Sequence, residues 1–187
     1  LFECFCLMPT LLLTHPDCLL HDMGEGHPER PDRLRAVDKA LSAPAFAALK
    51  REQAPLADVA AIERLHPPRY VEAIRAASPR QGLVWLDPDT AMCPKSFDAA
   101  LRASGATIYA MDQVMSGAAN NAFCAVRPPG HHAEPSRPMG FCLFNNVAIA
   151  ALHARTAHGA ERVAVVDFDV HHGNGTQDAF WSDKNLF

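Results

Sequence analysis

The chain has 187 residues, 49% hydrophobic and 20% charged, enough for one sizeable core and one domain. A net charge of −4 and a pI near 6.2, with no clustered run of Lys and Arg, argue against general affinity for duplex phosphates, so no direct nucleic-acid partner is expected. The apolar start from Leu1 to Leu13 is too short to span a bilayer, carries Glu3 in place of a basic flank and shows no small-residue cleavage site, so no membrane association is expected.

Met8 stands just before the first strand, and residues 1–7 are set apart as an upstream extension, leaving 8–187 as the folded part. Thr10 to Thr14 reads as that strand, and a Gly/His/Pro loop then leads through Pro31 into a helix with Leu34, Val37 and Leu41 on one face. A second strand is expected near Ala57 to Ile62. Pro67 and Pro68 precede a short helix carrying Tyr70, Val71 and Ile74, and Asp87 to Pro94 reads as a loop at the rim. Ser96 is the expected cap of a long helix that reaches about Met115 and ends at Gly117. Phe123 to Val126 is a strand, Phe144 to His158 a helix stopped by Gly159, and Arg162 to Phe168 a buried strand. Strands separated by helices predict an α/β fold of three layers, a mainly parallel sheet with helices on both faces. Six cysteines (Cys4, Cys6, Cys18, Cys93, Cys124, Cys142) form no Cys-x-x-Cys pair, so reduced thiols in a cytoplasmic protein are expected.

Two stretches carry chemistry. In Val163 to Thr176 an apolar run ends in alternating acid, acid and imidazole, which puts Asp167, Asp169 and His171 on one side of a strand end, where an open parallel sheet presents its ligands. A carboxylate and an imidazole two residues apart suit zinc, which takes oxygen and nitrogen donors. Upstream, a Pro128-Pro129-Gly130 turn delivers His131 and His132. Adjacent residues of an extended chain point apart, so a shared role for both requires the irregular backbone that this turn supplies.

The strings Arg127-Pro-Pro-Gly-His-His-Ala133, Gly140-Phe-Cys-Leu-Phe-Asn-Asn146 and Val166-Asp-Phe-Asp-Val-His-His-Gly-Asn-Gly-Thr176, in this order, resemble the zinc-dependent histone deacetylase family. Asn174, where one branch carries Asp, leans towards class II and the bacterial histone-deacetylase-like amidohydrolases. The likeness runs from His15 to the C-terminus and takes in Gly26 to Pro31 and Asp87 to Thr90. It implies an arginase/deacetylase-like fold truncated at the C-terminus, with residues 8–187 as the N-terminal part of a single deacetylase domain.

The resemblance also implies roles. Asp169 and His171 match two of three zinc ligands; His132 matches a proton-transfer histidine and His131 its electrostatic support. Asp167 stands behind His131, and Asn174 behind His132, where it orients a ring without bringing charge. Gly140 matches a backbone acceptor for the substrate amide and Phe141 an aromatic wall of the acyl-lysine tunnel. Backbone carbonyls of Asp167, Asp169 and His171 would bind a structural potassium ion, and Phe180, Asp183 and Leu186 a second one. The implied substrates are acetylated lysine in a protein or peptide, or an acetylated small amine. The family's third zinc ligand and its oxyanion-stabilising Tyr lie in sequence that would follow Phe187, so the site is expected to be incomplete and the chain inactive alone. The alternatives are an acetylpolyamine amidohydrolase and a non-catalytic fragment that only binds a partner. On the residues alone, Phe141 reads as core, and His15, His21 and His27 as structural or rim histidines, because their spacing fits no common ligand pattern.

Overall fold

The protein is described from a computed structural model covering residues 9–187, so the extension expected at residues 1–7 lies outside the described residues. In chain order the described elements are β1 (Thr10–Thr14), α1 (Pro31–Leu41), β2 (Lys50–Gln53), α2 (Val59–Ile62), α3 (Pro68–Ala77), β3 (Val84–Trp85), β4 (Ala91–Met92), α4 (Ser96–Met115), β5 (Asn121–Cys124), α5 (Asn146–His158) and α6 (Asn174–Phe180). Strand β1 lies between β2 and β5 and pairs parallel with both, Leu11 opposite Lys50 on one side and opposite Ala122 on the other.

Leu11, Leu12 and Leu13 are all buried, the continuous apolar run that a parallel strand needs when both its faces are covered. Alternation divides them between two layers. Leu12 packs with Leu34 of α1 and Ala125, while Leu11 and Leu13 pack on the other face with Ala106 of α4 and its neighbour Tyr109. The result is the three-layer, parallel-sheet α/β architecture of the arginase/deacetylase type, with α1 on one face and α4 on the other. Helix α5 packs on α4, where Ser104 donates to Asn146 Oδ1 (2.8 Å) and Thr107 to Asn146 O (3.0 Å). Asn145 caps α5 by accepting the Ala148 N–H at 3.1 Å, and the helix stops at Gly159. A second core, built from Ile62, Tyr70, Phe97, Phe144 and Ile149, joins α2 and α3 to α4 and α5.

Four expectations need correction. Residues 57–62 are not a strand: Asp58 accepts the Ala60 N–H at 3.0 Å, starting the short helix α2, which buries Ile62. The strand is Lys50–Gln53, an edge whose Lys-Arg-Glu-Gln composition suits an open flank and shows no apolar alternation. The loop expected at 87–94 contains β4, which pairs antiparallel with β3. Ser96 does not cap α4; its hydroxyl accepts the Cys93 N–H at 2.8 Å.

The buried strand expected at Arg162 to Phe168 does not form. Val163 and Val165 donate to the carbonyls of Asn185 (3.0 Å) and Phe187 (2.7 Å), but past Val165 no ladder continues among the described residues. Val166, Phe168 and Val170 are 85%, 96% and 91% exposed. An apolar run acquires a strand's burial only when other layers cover it, and here a concavity of about 410 Å³, lined by Cys124, Val126 and Phe168, separates it from β5.

Candidate active site

The histidine turn leaves β5 at the end of the sheet and is anchored one residue before its prolines. Arg127 is buried; it forks onto the Glu29 carboxylate, with Nη2 2.6 Å from Oε2, and donates to the carbonyls of Cys18 (2.7 Å) and His21 (2.9 Å). Burial alone would raise the Glu29 pKa, but His21 and Arg127 outweigh it and hold the carboxyl at about 2. This buried pair ties the loop after β1 to the exit of β5, and the Arg127–Pro128 peptide is cis.

Beyond the turn the two imidazoles lie with ring centroids 4.0 Å apart, and each has a different partner behind it. His131 Nδ1 is 2.8 Å from Asp167 Oδ2; His132 Nδ1 is 2.8 Å from Asn174 Oδ1. Partial burial pushes the Asp167 carboxyl up, but the hydrogen bonds from His131 and the Asp169 N–H outweigh it and leave it below the ordinary range. Gly173 lets these groups meet, because a Cβ there would stand 2.5 Å from Asp167 Oδ2. The structure therefore brings together His131 with Asp167 and His132 with Asn174, the pairs singled out in the sequence.

Asp169 and His171 adjoin this cluster on the exposed segment. Asp169 Oδ1 accepts from the His171 N–H (2.8 Å) and lies 3.0 Å from His171 Nδ1, and the His171 ring stands 6.0 Å from that of His132. The backbone and ring contacts of His171, the former larger, hold the Asp169 carboxyl below its ordinary range. One carboxylate and one imidazole with its Nε2 turned away from the carboxylate form a donor set that fits zinc in kind. Among the described residues no third carboxylate, imidazole or thiolate joins them; the one such trio is Asp112, His153 and His158, on α4 and α5.

That trio does not suit a metal. Arg64 donates to His153 Nδ1 at 2.9 Å, which leaves the ring proton on Nε2, where it is given to Asp112 Oδ1 at 2.7 Å. A cation at Nε2 would need the opposite tautomer and would sit beside a guanidinium. As for potassium, no backbone N–H among the described residues donates to the carbonyls of Asp167, Asp169 or His171, whereas those of Phe180 and Asp183 accept the N–H groups of Asp183 (3.0 Å) and Leu186 (3.1 Å).

Gly140 and Phe141 stand on the far side of His132. Gly140 has φ +55, and a Cβ there would lie 2.4 Å from His132 Cδ2, so only glycine lets the backbone press against this ring. Phe141 continues with φ +70, a region that a bulky residue adopts only when its surroundings hold it there. Its N–H donates to Thr90 Oγ1 at 3.0 Å, and its ring meets that of His27 edge-on at 4.8 Å. Phe141 thus belongs to the rim and not to the core, and His27 with it. A larger concavity of about 610 Å³, lined by Asp167, Asp169, His171, Phe180, Trp181 and Phe187 among others, opens on the other side of the exposed segment.

Two residues at the site were given no role from the sequence. Thr90 was visible only as the end of a rim motif, and Glu134, whose Oε1 lies 2.9 Å from Asn174 Nδ2, was not singled out.

Comparison with known proteins identifies the family. A family model described as the histone deacetylase domain matches residues 27–187. The histone deacetylase-like amidohydrolase of Pseudomonas aeruginosa is 42% identical over 157 residues, covering 83% of this chain and 41% of its own. A probable deacetylase of Methanothermobacter thermautotrophicus is 40% identical over 177 residues, 94% of this chain and 52% of its own. The polyamine deacetylase HDAC10 of Homo sapiens is 38% identical over 195 residues, 96% of this chain and 28% of its own. The crystal structure of the HDA15 HD domain superposes with a TM-score of 0.91 at 36% identity, covering 96% of this chain and 52% of that one. The chain spans about half the length, or less, of these relatives. With the family model covering most of its length and the fold shared with a solved member, this chain belongs to the histone deacetylase family.

Proposed function

We propose that residues 8–187 are the N-terminal part of a single deacetylase domain and carry the general-base side of a zinc-dependent amide hydrolase. The reading rests chiefly on one observation: two imidazoles, each with a different partner on Nδ1, stand beside an Asp-x-His pair. His132 gives its Nδ1 proton to the neutral Asn174 and so keeps the Nε2 lone pair free to take a proton from water and later return it to the leaving amine. His131, backed by the Asp167 carboxylate, supports positive charge at the site as the intermediate builds up. Asp169 and His171 would hold the zinc, which when bound polarises water and the acyl carbonyl.

Gly140 would offer its carbonyl to the substrate amide, and Phe141 would wall the acyl-lysine tunnel. The carbonyls of Asp167, Asp169 and His171, which no backbone donor among the described residues satisfies, are the stronger candidates for potassium; those of Phe180, Asp183 and Leu186 are the weaker. The substrate is an acetylated lysine or a related N-acyl amine, and the human relative named a polyamine deacetylase supports an acetylated polyamine as the second reading. The four cysteines among the described residues are free thiols, which supports a reducing, cytoplasmic setting.

The test is zinc binding and acetyl-lysine peptide hydrolysis by the complete protein. Asp169→Ala and His171→Ala should each remove most of the zinc. His132→Ala should lower kcat by about a hundred- to ten-thousand-fold with KM little changed. Unchanged zinc stoichiometry in both ligand variants would refute the assignment.

A further inference from the structure

The side chain of Asn174 is held from behind as well as in front. Its Nδ2 faces acceptors only: Glu134 Oε1 at 2.9 Å, Met139 Sδ at 3.3 Å and the His132 carbonyl at 3.5 Å. With the amide nitrogen committed to that side, Oδ1 is turned to His132 Nδ1, and an oxygen there can only accept. An amide is nearly symmetric in shape, so nothing but its hydrogen-bond partners decides which end faces the ring. The neutral ring has two tautomers, and an amide turned round would present N–H to Nδ1 and favour the proton on Nε2.

We propose that Glu134 is a positioning residue: through Asn174 it holds His132 in the Nδ1–H tautomer and so keeps Nε2 available as the base. Glu134 is placed to do this by a tight reversal, in which its N–H donates to Arg137 O at 3.0 Å and that of Arg137 returns to Glu134 O at 3.4 Å. His131 needs no such device, because the Asp167 carboxylate presents an acceptor whichever way it turns. The catalytic meaning of the tautomer rests on the deacetylase reading, but the tautomer itself does not.

The experiment is long-range ¹H–¹⁵N correlation of the histidine rings in this chain, without metal or substrate, at about pH 8.5, well above the ordinary imidazole pKa of about 6.5. Wild type should show His132 with a protonated Nδ1 and a bare Nε2. In Glu134→Ala the ratio of the two tautomers should shift towards Nε2–H by about tenfold or more, the scale of losing one hydrogen bond to a charged group. Adding Asn174→Asp to that variant should restore the Nδ1–H form, since a carboxylate has no donor end, whereas a merely structural loss would not be rescued. Should Glu134→Ala fail to fold, Glu134→Met, which keeps the bulk and loses the acceptor, makes the same comparison. An unchanged His132 tautomer in the folded variant, or no restoration in the double variant, would overturn the inference while leaving the deacetylase reading untouched. A wild-type tautomer with no hydrolysis by the complete protein would count against that reading alone.

Discussion

Single atoms set the geometry around His132. Gly140 gives a direct measure of this: a methyl group there would meet the ring at 2.4 Å, with His132 Cγ at 2.6 Å and Cβ at 2.9 Å, on a backbone already at φ +55. Gly140→Ala should therefore cost about 1–3 kcal/mol, the left-handed backbone supplying about 1–2 of it and displacement of the ring the remainder. Urea denaturation of the variant against wild type reads the loss, and equal midpoints would show that the ring and backbone do not press together. At this scale much of the site was legible. His131, His132, Asp167, Asp169, His171 and Asn174 stood in recognisable strings, and the structure pairs His131 with Asp167 and His132 with Asn174 as those strings suggest. Glu134 escaped because a Glu two residues past a histidine is ordinary, and its meaning depends on a contact 40 residues away in sequence. On the residues alone Phe141 reads as core, because its positive φ leaves no trace in composition; only the family resemblance sets it at the tunnel wall.

Between elements, the strongest tie is Glu29 with Arg127, which joins the loop following β1 to the exit of β5. Both are buried, so removing one partner strands the other's charge, and Glu29→Ala should cost about 3–5 kcal/mol in urea denaturation. Because the folded Glu29 pKa lies at about 2, below its ordinary 4.5, the pair's contribution is fully present above about 4.5 and is lost as pH falls towards 2. Stability followed across that window should fall in wild type with a slope that Glu29→Gln largely removes; identical slopes would show that the carboxyl is not held down. The elements themselves were read correctly where local signals ruled: Pro31 at the start of α1, the three leucines of β1, Gly159 after α5. They were misread where tertiary context ruled. β2 is a polar strand because it is an edge, and residues 162–168 look like a core strand although no layer covers them here.

For the molecule as a whole, the parallel sheet and its two helical layers follow from alternation of strand and helix, whereas the order β2-β1-β5 does not, and the fold matches the HDA15 HD domain closely. What alternation cannot convey is which apolar faces this chain leaves open. Val166, Phe168, Val170, Trp181 and Phe187 are all exposed around the two concavities, more than a few scattered surface residues would explain. The 187-residue chain should bind a hydrophobic dye such as ANS and self-associate as concentration rises, and Phe168→Asp with Val170→Lys should weaken both. Sedimentation that finds a dye-silent monomer at high concentration would contradict this.

The charged edge strand β2 gives that association a limit. Lys50, Arg51 and Glu52 make one border of the sheet resistant to a new strand, so among the described strands addition to this sheet is left to the border of β5. A particle with one adhesive border and one repellent border has no means of propagating. Two copies joined border to border about a twofold axis would consume the one uncharged edge of the β2-β1-β5 sheet among the described residues, and the assembly would close as a pair where a sheet open on both sides would continue into a fibre.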